Sequence, residues 1–406
     1  MLKNREGLQD ENLEPDLPEL DVVFDFSINN KSDTEKSDEE RLLEKISEIS
    51  KQGYAFLKEH DTKNAVVEFL RILDLDPHNN YALVGLGDAA RKEKKTEIAI
   101  AYYEECLHYH PANNYALFGL ADCYKILYDY EKAIEIWQRY LTVDDTNIAV
   151  LTRIADTYRK NANFDEAKKL YQKVLGLSAD NMYALTGLGH LYYDFKKYRE
   201  ALAYWQRVVE LSVHRVDIRI LTSIGNCYRK LKNFEKALPY FLKAIDQEAD
   251  NFYALFGIAD CYRGLGRHDR SIIYWKKILA LEPQNKVILT RLGDAYRNIG
   301  DFDEAERTYN MALDIAYDSY AALGLAILKK ERGLYEEAIA NLQYLLTQDK
   351  KNYRIYLELA NCYIKTGERD KALEVLERFR KFDIRSSYIS DLYHRLRIEN
   401  QPLPFS

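Results

Sequence analysis

Proline and glycine are scarce in this 406-residue chain, at 8 and 17 copies. So few turn formers exclude a fold of many β-hairpins and favour helices joined by short turns. No apolar run is long enough to span a bilayer, and the N-terminal stretch MLKNREGLQDENLEPD lacks the apolar core of a leader peptide. The five cysteines, Cys106, Cys123, Cys227, Cys261 and Cys362, form no C-x-x-C pair. They read as small apolar core residues in a reducing compartment, so a cytoplasmic location is expected. Signatures of catalysis are missing too: there is no G-x-x-x-x-G-K-[ST], no H-E-x-x-H and no G-x-S-x-G. His108 and His110 are two apart, which on a helix sends them to different faces and argues against a shared metal. No enzyme, metal or cofactor is expected.

Charge is unevenly spread. Residues 1–40 hold 13 acidic and 4 basic side chains, a net of −9 in a chain of net −7, which leaves +2 for the rest. An acidic tail on a near-neutral body lacks the basic surface that nucleic-acid binding needs. With Pro15 and Pro18 among its acids, this tail is expected to be disordered. Within it LDVVFDF (20–26) is an apolar island flanked by acids.

What the chain does have is repetition. Small residues recur at Gly53, Gly87, Ala121, Ala155, Gly189, Gly225, Ala259, Gly293, Ala326 and Ala360. A second series runs Ala65, Ala99, Ala133, Ala167, Ala201, Ala237, Ser271, Ala305, Ala338 and Ala372. Both step by 34, apart from one shared interval of 36 and one of 33, so both belong to one structural unit. Three residues after the first series come Tyr124, Tyr158, Tyr192, Tyr228, Tyr262, Tyr296 and Tyr363. Four after the second come Phe69, Tyr103, Trp137, Tyr171, Trp205, Phe241, Trp275 and Tyr309. Offsets of three and four lie on one helix face, so each unit is two amphipathic helices whose small residues let the axes approach. A pairwise period lies over this one: NYALFGLADCY (114–124) and FYALFGIADCY (252–262) open odd units, whereas VLTRIADTYRK (150–160) and ILTRLGDAYRN (288–298) open even ones.

The order L-G/A-x-x-Y, then A-x-x-x-F/Y/W, then Pro resembles the tetratricopeptide repeat. Residues 46–79, 80–113, 114–147, 148–181, 182–215, 218–251, 252–285, 286–318, 319–352 and 353–384 fit it. The departures are local: the proline is missing after repeats three to six, and Ala90 and Lys329 stand where the tyrosine belongs in repeats two and nine. The ninth repeat is the weakest match and is expected to pack loosely. The resemblance implies an all-α, right-handed α-solenoid over residues 41–384, with a disordered acidic N-terminal tail (1–40), a capping helix (385–399) and a short tail (400–406). It also implies that the first helix of each repeat lines the concave side.

On that side one row holds Asp88, Asp122, Asp156, Asp260 and Asp294, with His190 and Asn226 in the same slot. Three residues on lie Arg91, Lys125, Arg159, Arg229, Arg263 and Arg297, joined in repeats four and eight by Arg153 and Arg291. Tyr81, Tyr115, Tyr183, Tyr253 and Tyr320 open the odd repeats and one even one, with Phe118 and Phe256 a turn later. These side chains suit a groove for an extended peptide, in which carboxylates accept N–H groups, guanidinium groups clamp acids and rings give apolar anchorage. The same acids and bases, three apart, can equally pair with one another on the helix face. Members of the family that grip a C-terminal carboxylate use Lys and Asn; Asp stands here in most matching slots, so that specificity is not expected.

The expected function is therefore a scaffold or adaptor that binds extended segments of partner proteins, with no nucleic acid and no membrane. The alternative is a structural homo-oligomer assembled through the array, with the acidic tail docked in its groove.

Overall fold

The computed structural model describes residues 37–213, 215–382 and 384–398. It contains only helices and turns among them, in two compact units divided between Val216 and Asp217. That division falls inside the one 36-residue interval of the repeat, so the two extra residues of sequence mark it.

The first unit holds five helix pairs: α1 (Asp38–Lys58) with α2 (Thr62–Leu73), α3 (Asn80–Lys92) with α4 (Thr96–Tyr109), α5 (Asn114–Ile126) with α6 (Tyr130–Leu141), α7 (Ile148–Lys160) with α8 (Phe164–Leu177), and α9 (Met182–Asp194) with α10 (Tyr198–Leu211). The second holds five more: α11 (Ile218–Lys230) with α12 (Phe234–Gln247), α13 (Phe252–Gly264) with α14 (His268–Leu281), α15 (Lys286–Asn298) with α16 (Phe302–Ile315), α17 (Ser319–Glu331) with α18 (Tyr335–Gln348), and α19 (Tyr353–Lys365) with α20 (Arg369–Arg380). A last helix, α21 (Ser387–Ile398), covers the end by burying Ile389, Leu392 and Leu396 against the final pair. Most of the acidic tail, with LDVVFDF, and residues 400–406 lie outside the described residues; α1 already begins at Asp38.

Helix boundaries follow from local chemistry. Asn79, Asn113, Asn147, Asn181, Asn251 and Asn285 each precede a first helix and accept a backbone N–H of its first turn, which satisfies an otherwise orphan donor. The asparagines of DPHN, HPAN and EPQN thus start helices as well as reversing the chain. Between the two helices of a pair, the chain turns through one left-handed residue at 60, 94, 128, 162, 196, 232, 266, 300, 333 and 367. The last four are glycine, which adopts that conformation at no steric cost; Tyr128 and five other side-chain-bearing residues do so at a cost of about 1–2 kcal/mol each.

Every member of the second small series, from Ala65 to Ala372, is fully buried. The glycines of the first series face the aromatics of their own second helix: a Cβ on Gly87 would sit 2.5 Å from Tyr103, and one on Gly293 2.7 Å from Tyr309. A further glycine, two residues earlier, receives the same ring from the preceding repeat. Gly119 thus meets Tyr103, Gly187 meets Tyr171, Gly257 meets Phe241 and Gly324 meets Tyr309. Tyr103, Phe241 and Tyr309 are each a key held between two glycines of successive repeats, with Ala155 standing in place of the first glycine for Tyr171, and burying such a ring stabilises the junction by about 1.5–3 kcal/mol. A solenoid is stable through such nearest-neighbour joints.

In the ninth repeat the two helices touch less extensively than in the first eight, though its core is filled. Leu342 takes the aromatic's place, fully buried beside Ala326 and Ala338, and Lys329 pairs with Glu337 at 3.0 Å. The five cysteines are buried free thiols, and burial raises those of Cys106, Cys123 and Cys261 to about 12. Among the described residues no helix is long and apolar enough to cross a membrane.

Candidate functional site

First helices of successive repeats touch directly in most places: α1 with α3, α3 with α5, α7 with α9, and in the second unit α11 with α13, α15 with α17, α17 with α19. Second helices do not approach one another as closely, so within each unit the first helices form the inner wall. Two junctions are wider, α5 with α7 and α13 with α15. At these the later helix carries Arg153 or Arg291 in the slot that holds Gly85, Gly119, Gly187, Gly257 and Gly324 in other repeats. An arginine there replaces backbone contact with a long side chain, which wedges the helices apart.

Arg153 lies across the Phe118 ring at 4.4 Å and donates to Asp122 Oδ1 at 3.0 Å. Arg291 repeats the arrangement over Phe256 at 5.1 Å, with Asp260 at 3.5 Å. Guanidinium over an aromatic face is a favourable electrostatic contact, and it holds the plane of the charged group against the wall.

The acidic and basic rows are linked across repeats. Arg91 reaches Asp122 at 3.4 Å, Lys125 reaches Asp156 at 2.9 Å and Arg229 reaches Asp260 at 2.8 Å, each spanning 31 residues to the next repeat. Pairs within one helix also form, with Arg159 on Asp156 at 2.9 Å and Arg263 on Asp260 at 2.7 Å. Arg159 continues to Asp194 at 2.6 Å and Arg297 to Glu331 at 2.7 Å. This is an ionic ladder, and its buried rungs fasten repeats together more than they report on a ligand.

Burial opposes the charge on Asp156, but Arg159 and Lys125 overcome it and hold the carboxyl below the ordinary range. Asp260 is likewise depressed: burial works against its charge, and Arg263 and Arg229 outweigh burial. Asp194 goes the other way, raised by burial that Arg159 only partly offsets.

Several residues of the predicted groove are therefore committed to the wall itself. Phe118, Phe256, Asp122, Arg153, Asp156, Asp260 and Asn226 are buried. His190 is buried as well, edge-on to the Trp205 indole at 5.2 Å, which makes it a packing group and not a surface contact. Tyr115, Tyr183 and Tyr253 are half-buried, as are Lys125, Arg159, Arg229, Arg291, Asp294 and Arg297, while Arg263 is exposed. His110 has its ring nitrogen 2.7 Å from the His78 carbonyl, a structural contact.

In the wide junction between α5 and α7 lies a concavity of about 370 Å³. Arg91, Lys125, Arg153 and Lys160 line it against the single carboxylate of Asp122, and Ile126, Tyr128 and Tyr130 form its rim. The rim was not legible in the sequence because Ile126 and Tyr130 stand at the last and first positions of their helices and Tyr128 in the turn between them, outside the repeating faces. One signal was Tyr at 128, in a left-handed turn slot where the corresponding repeat of the second unit has Gly266.

Three sequence models described as tetratricopeptide repeat match this chain, at residues 50–105 and 90–147, 145–284, and 274–328 with 330–393. No curated protein matches it in sequence. Among solved structures, Pseudomonas aeruginosa pilF is similar at 17% identity, covering 53% of this chain and 96% of its own, with a TM-score of 0.46. YrrB, titled a TPR protein with an unusual peptide-binding site, is 19% identical over 46% of this chain and 95% of its own, with a TM-score of 0.41. A chain of the APC/C hetero-tetramer Cut9–Hcn1 is 14% identical over 90% of this chain and 91% of its own, with a TM-score of 0.41. With repeat matches running from residue 50 to residue 393 and ten helix pairs in the same register, the chain belongs to the tetratricopeptide-repeat family.

Proposed function

We propose that this chain, a protein-interaction scaffold by its repeats, holds extended acidic segments of partner proteins on the inner wall, with the concavity between α5 and α7 as the principal grip. The observation that carries this reading is the lining: four cationic side chains face one carboxylate. Guanidinium and ammonium groups are donors only, so an incoming Asp or Glu meets charge-assisted hydrogen bonds, in competition with Asp88, Asp122 and Asp156, which already pair with Arg91, Arg153 and Lys125. The wedge of Arg153 supports the same reading, because it opens the wall where the cations converge.

The test is a fluorescence-anisotropy titration of labelled octaglutamate into the full chain. Lys160 is exposed at the end of α7, so Lys160→Glu alters the site with little risk to the fold. The expected result is saturable binding that weakens with salt and falls about tenfold in Lys160→Glu. Equal affinity of the variant, or equal binding of an octalysine probe, would remove the concavity as the grip.

A further inference from the structure

The concavity is not a plain anion site, because its mouth is apolar. Ile126 is 53% exposed and Tyr128 is 73% exposed, with the Tyr128 and Tyr130 rings edge-on at 6.1 Å. Tyr128 presents its ring from a left-handed backbone, a conformation costly to any residue but glycine. The equivalent junction in the second unit repeats most of the charged parts, with Arg229, Asp260, Arg263 and Arg291 standing where Arg91, Asp122, Lys125 and Arg153 stand here, and Asn298 where Lys160 stands. It does not repeat the rim: Gly264, Gly266 and His268 replace Ile126, Tyr128 and Tyr130. A rim without counterpart, beside charges that are mostly repeated, sets a second requirement on the occupant of the first site, an apolar side chain beside its acids.

One segment of the chain itself meets both requirements. In ELDVVFDF (19–26), Glu19, Asp21 and Asp25 alternate with Val22, Val23, Phe24 and Phe26, within an N-terminal stretch of net charge −9 over its first 40 residues. Eleven residues, 27–37, join it to α1, and the fourteen steps from Phe24 to Asp38 extend to at most about 46–50 Å. Two first-helix spacings, about 20 Å, and about 28 Å of helix rise from Asp38 to the level of Lys125 put the site about 35 Å from the start of α1. We infer that residues 19–26 are an internal ligand of the α5–α7 concavity, with acids on Lys125, Lys160 and the arginines and with Phe24 or Phe26 against Tyr128. Docked there, they compete with the acidic segments of partners, so that the scaffold is self-occluded until a stronger ligand displaces them. This rests on the function proposed above and names the regulation of the same site.

Two measurements on the full chain test it. In the first, p-benzoylphenylalanine replaces Phe24, and photocrosslinks are mapped by mass spectrometry. Crosslinks to residues 126–130 are expected: those that persist on dilution come from the same chain, and those lost on dilution come from a second copy. Crosslinks confined to other regions, or to the second unit, would overturn the inference. In the second, Phe24→Ser with Phe26→Ser should raise octaglutamate affinity about fivefold by removing the competitor, and Tyr128→Gly should produce the same rise. Unchanged affinity in both, with octaglutamate still held by the concavity, sinks the internal ligand and leaves the proposed function standing. Failure of octaglutamate to bind even the Phe24→Ser, Phe26→Ser chain sinks the proposed function as well.

Discussion

The Tyr309 hydroxyl donates to Asp294 Oδ1 at 2.7 Å, across fifteen residues and from one helix of its repeat to the other. Tyr103 and Asp88 make the same bond at the same length in the second repeat. In both, a ring that locks two repeats together also ties down a carboxylate of the inner wall. The Asp88 side chain is 19% exposed and that of Asp294 41%, so loss of the donor is better compensated by water at Asp294. Tyr103→Phe should cost about 1–2 kcal/mol and Tyr309→Phe about half as much. Urea denaturation of the two variants checks this, and equal or reversed losses would contradict it.

Glycine in this chain does two different jobs, and substitutions separate them. At Gly119 an added Cβ would lie 2.4 Å from the Tyr103 ring, so Gly119→Ala should overpack the junction and cost about 1–3 kcal/mol. At Gly300 an added Cβ meets nothing within 4 Å, and the backbone φ is +83°. Gly300→Ala should therefore cost only about 1 kcal/mol, all of it backbone strain. Thermal unfolding should rank the first below the second, and the order Gly300→Ala below Gly119→Ala would refute the key-between-glycines packing.

The ladder predicts a sign for acid sensitivity. Asp156 is depressed in the folded state, because Arg159 and Lys125 outweigh burial. Its stabilisation is present above the unfolded carboxylate value of about 3.9 and is lost as pH falls through the lower folded value. Asp156→Asn should be less stable at pH 7 and show a shallower fall in Tm between about pH 4 and pH 2. Asp194, raised by burial, acts with the opposite sign, and Asp156→Asn eases that rise by removing a neighbouring negative charge. Parallel acid limbs in the two proteins would show that Asp156 is not a rung of the ladder.

Much of this was written in the spacing of small and aromatic residues. Ala65 to Ala372 recur in step because the second helix has room for a methyl group and nothing more, and that pattern is visible in one sequence. The glycines at 85, 119, 187, 257 and 324 are just as constrained but alternate with Arg153, Ser223 and Arg291, so they do not read as a series. The charged rows were legible as rows, yet their partners were not. A contact 31 residues away depends on how far repeats are rotated, which spacing alone does not give. Burial of His190 and Asn226 followed the same limit: their slot faces the groove on a lone helix but lies under a neighbour in the stack.

Hydrogen–deuterium exchange of the Phe24→Ser, Phe26→Ser chain, with and without octaglutamate, tests the grip most directly. Residues 123–130 and 153–160, the ends of α5 and α7 with the turn after α5, should gain protection, and the gain should vanish in Lys160→Glu. Protection spread evenly along the first helices, or found only in the second unit, would contradict a partner held at the wedge that Arg153 opens.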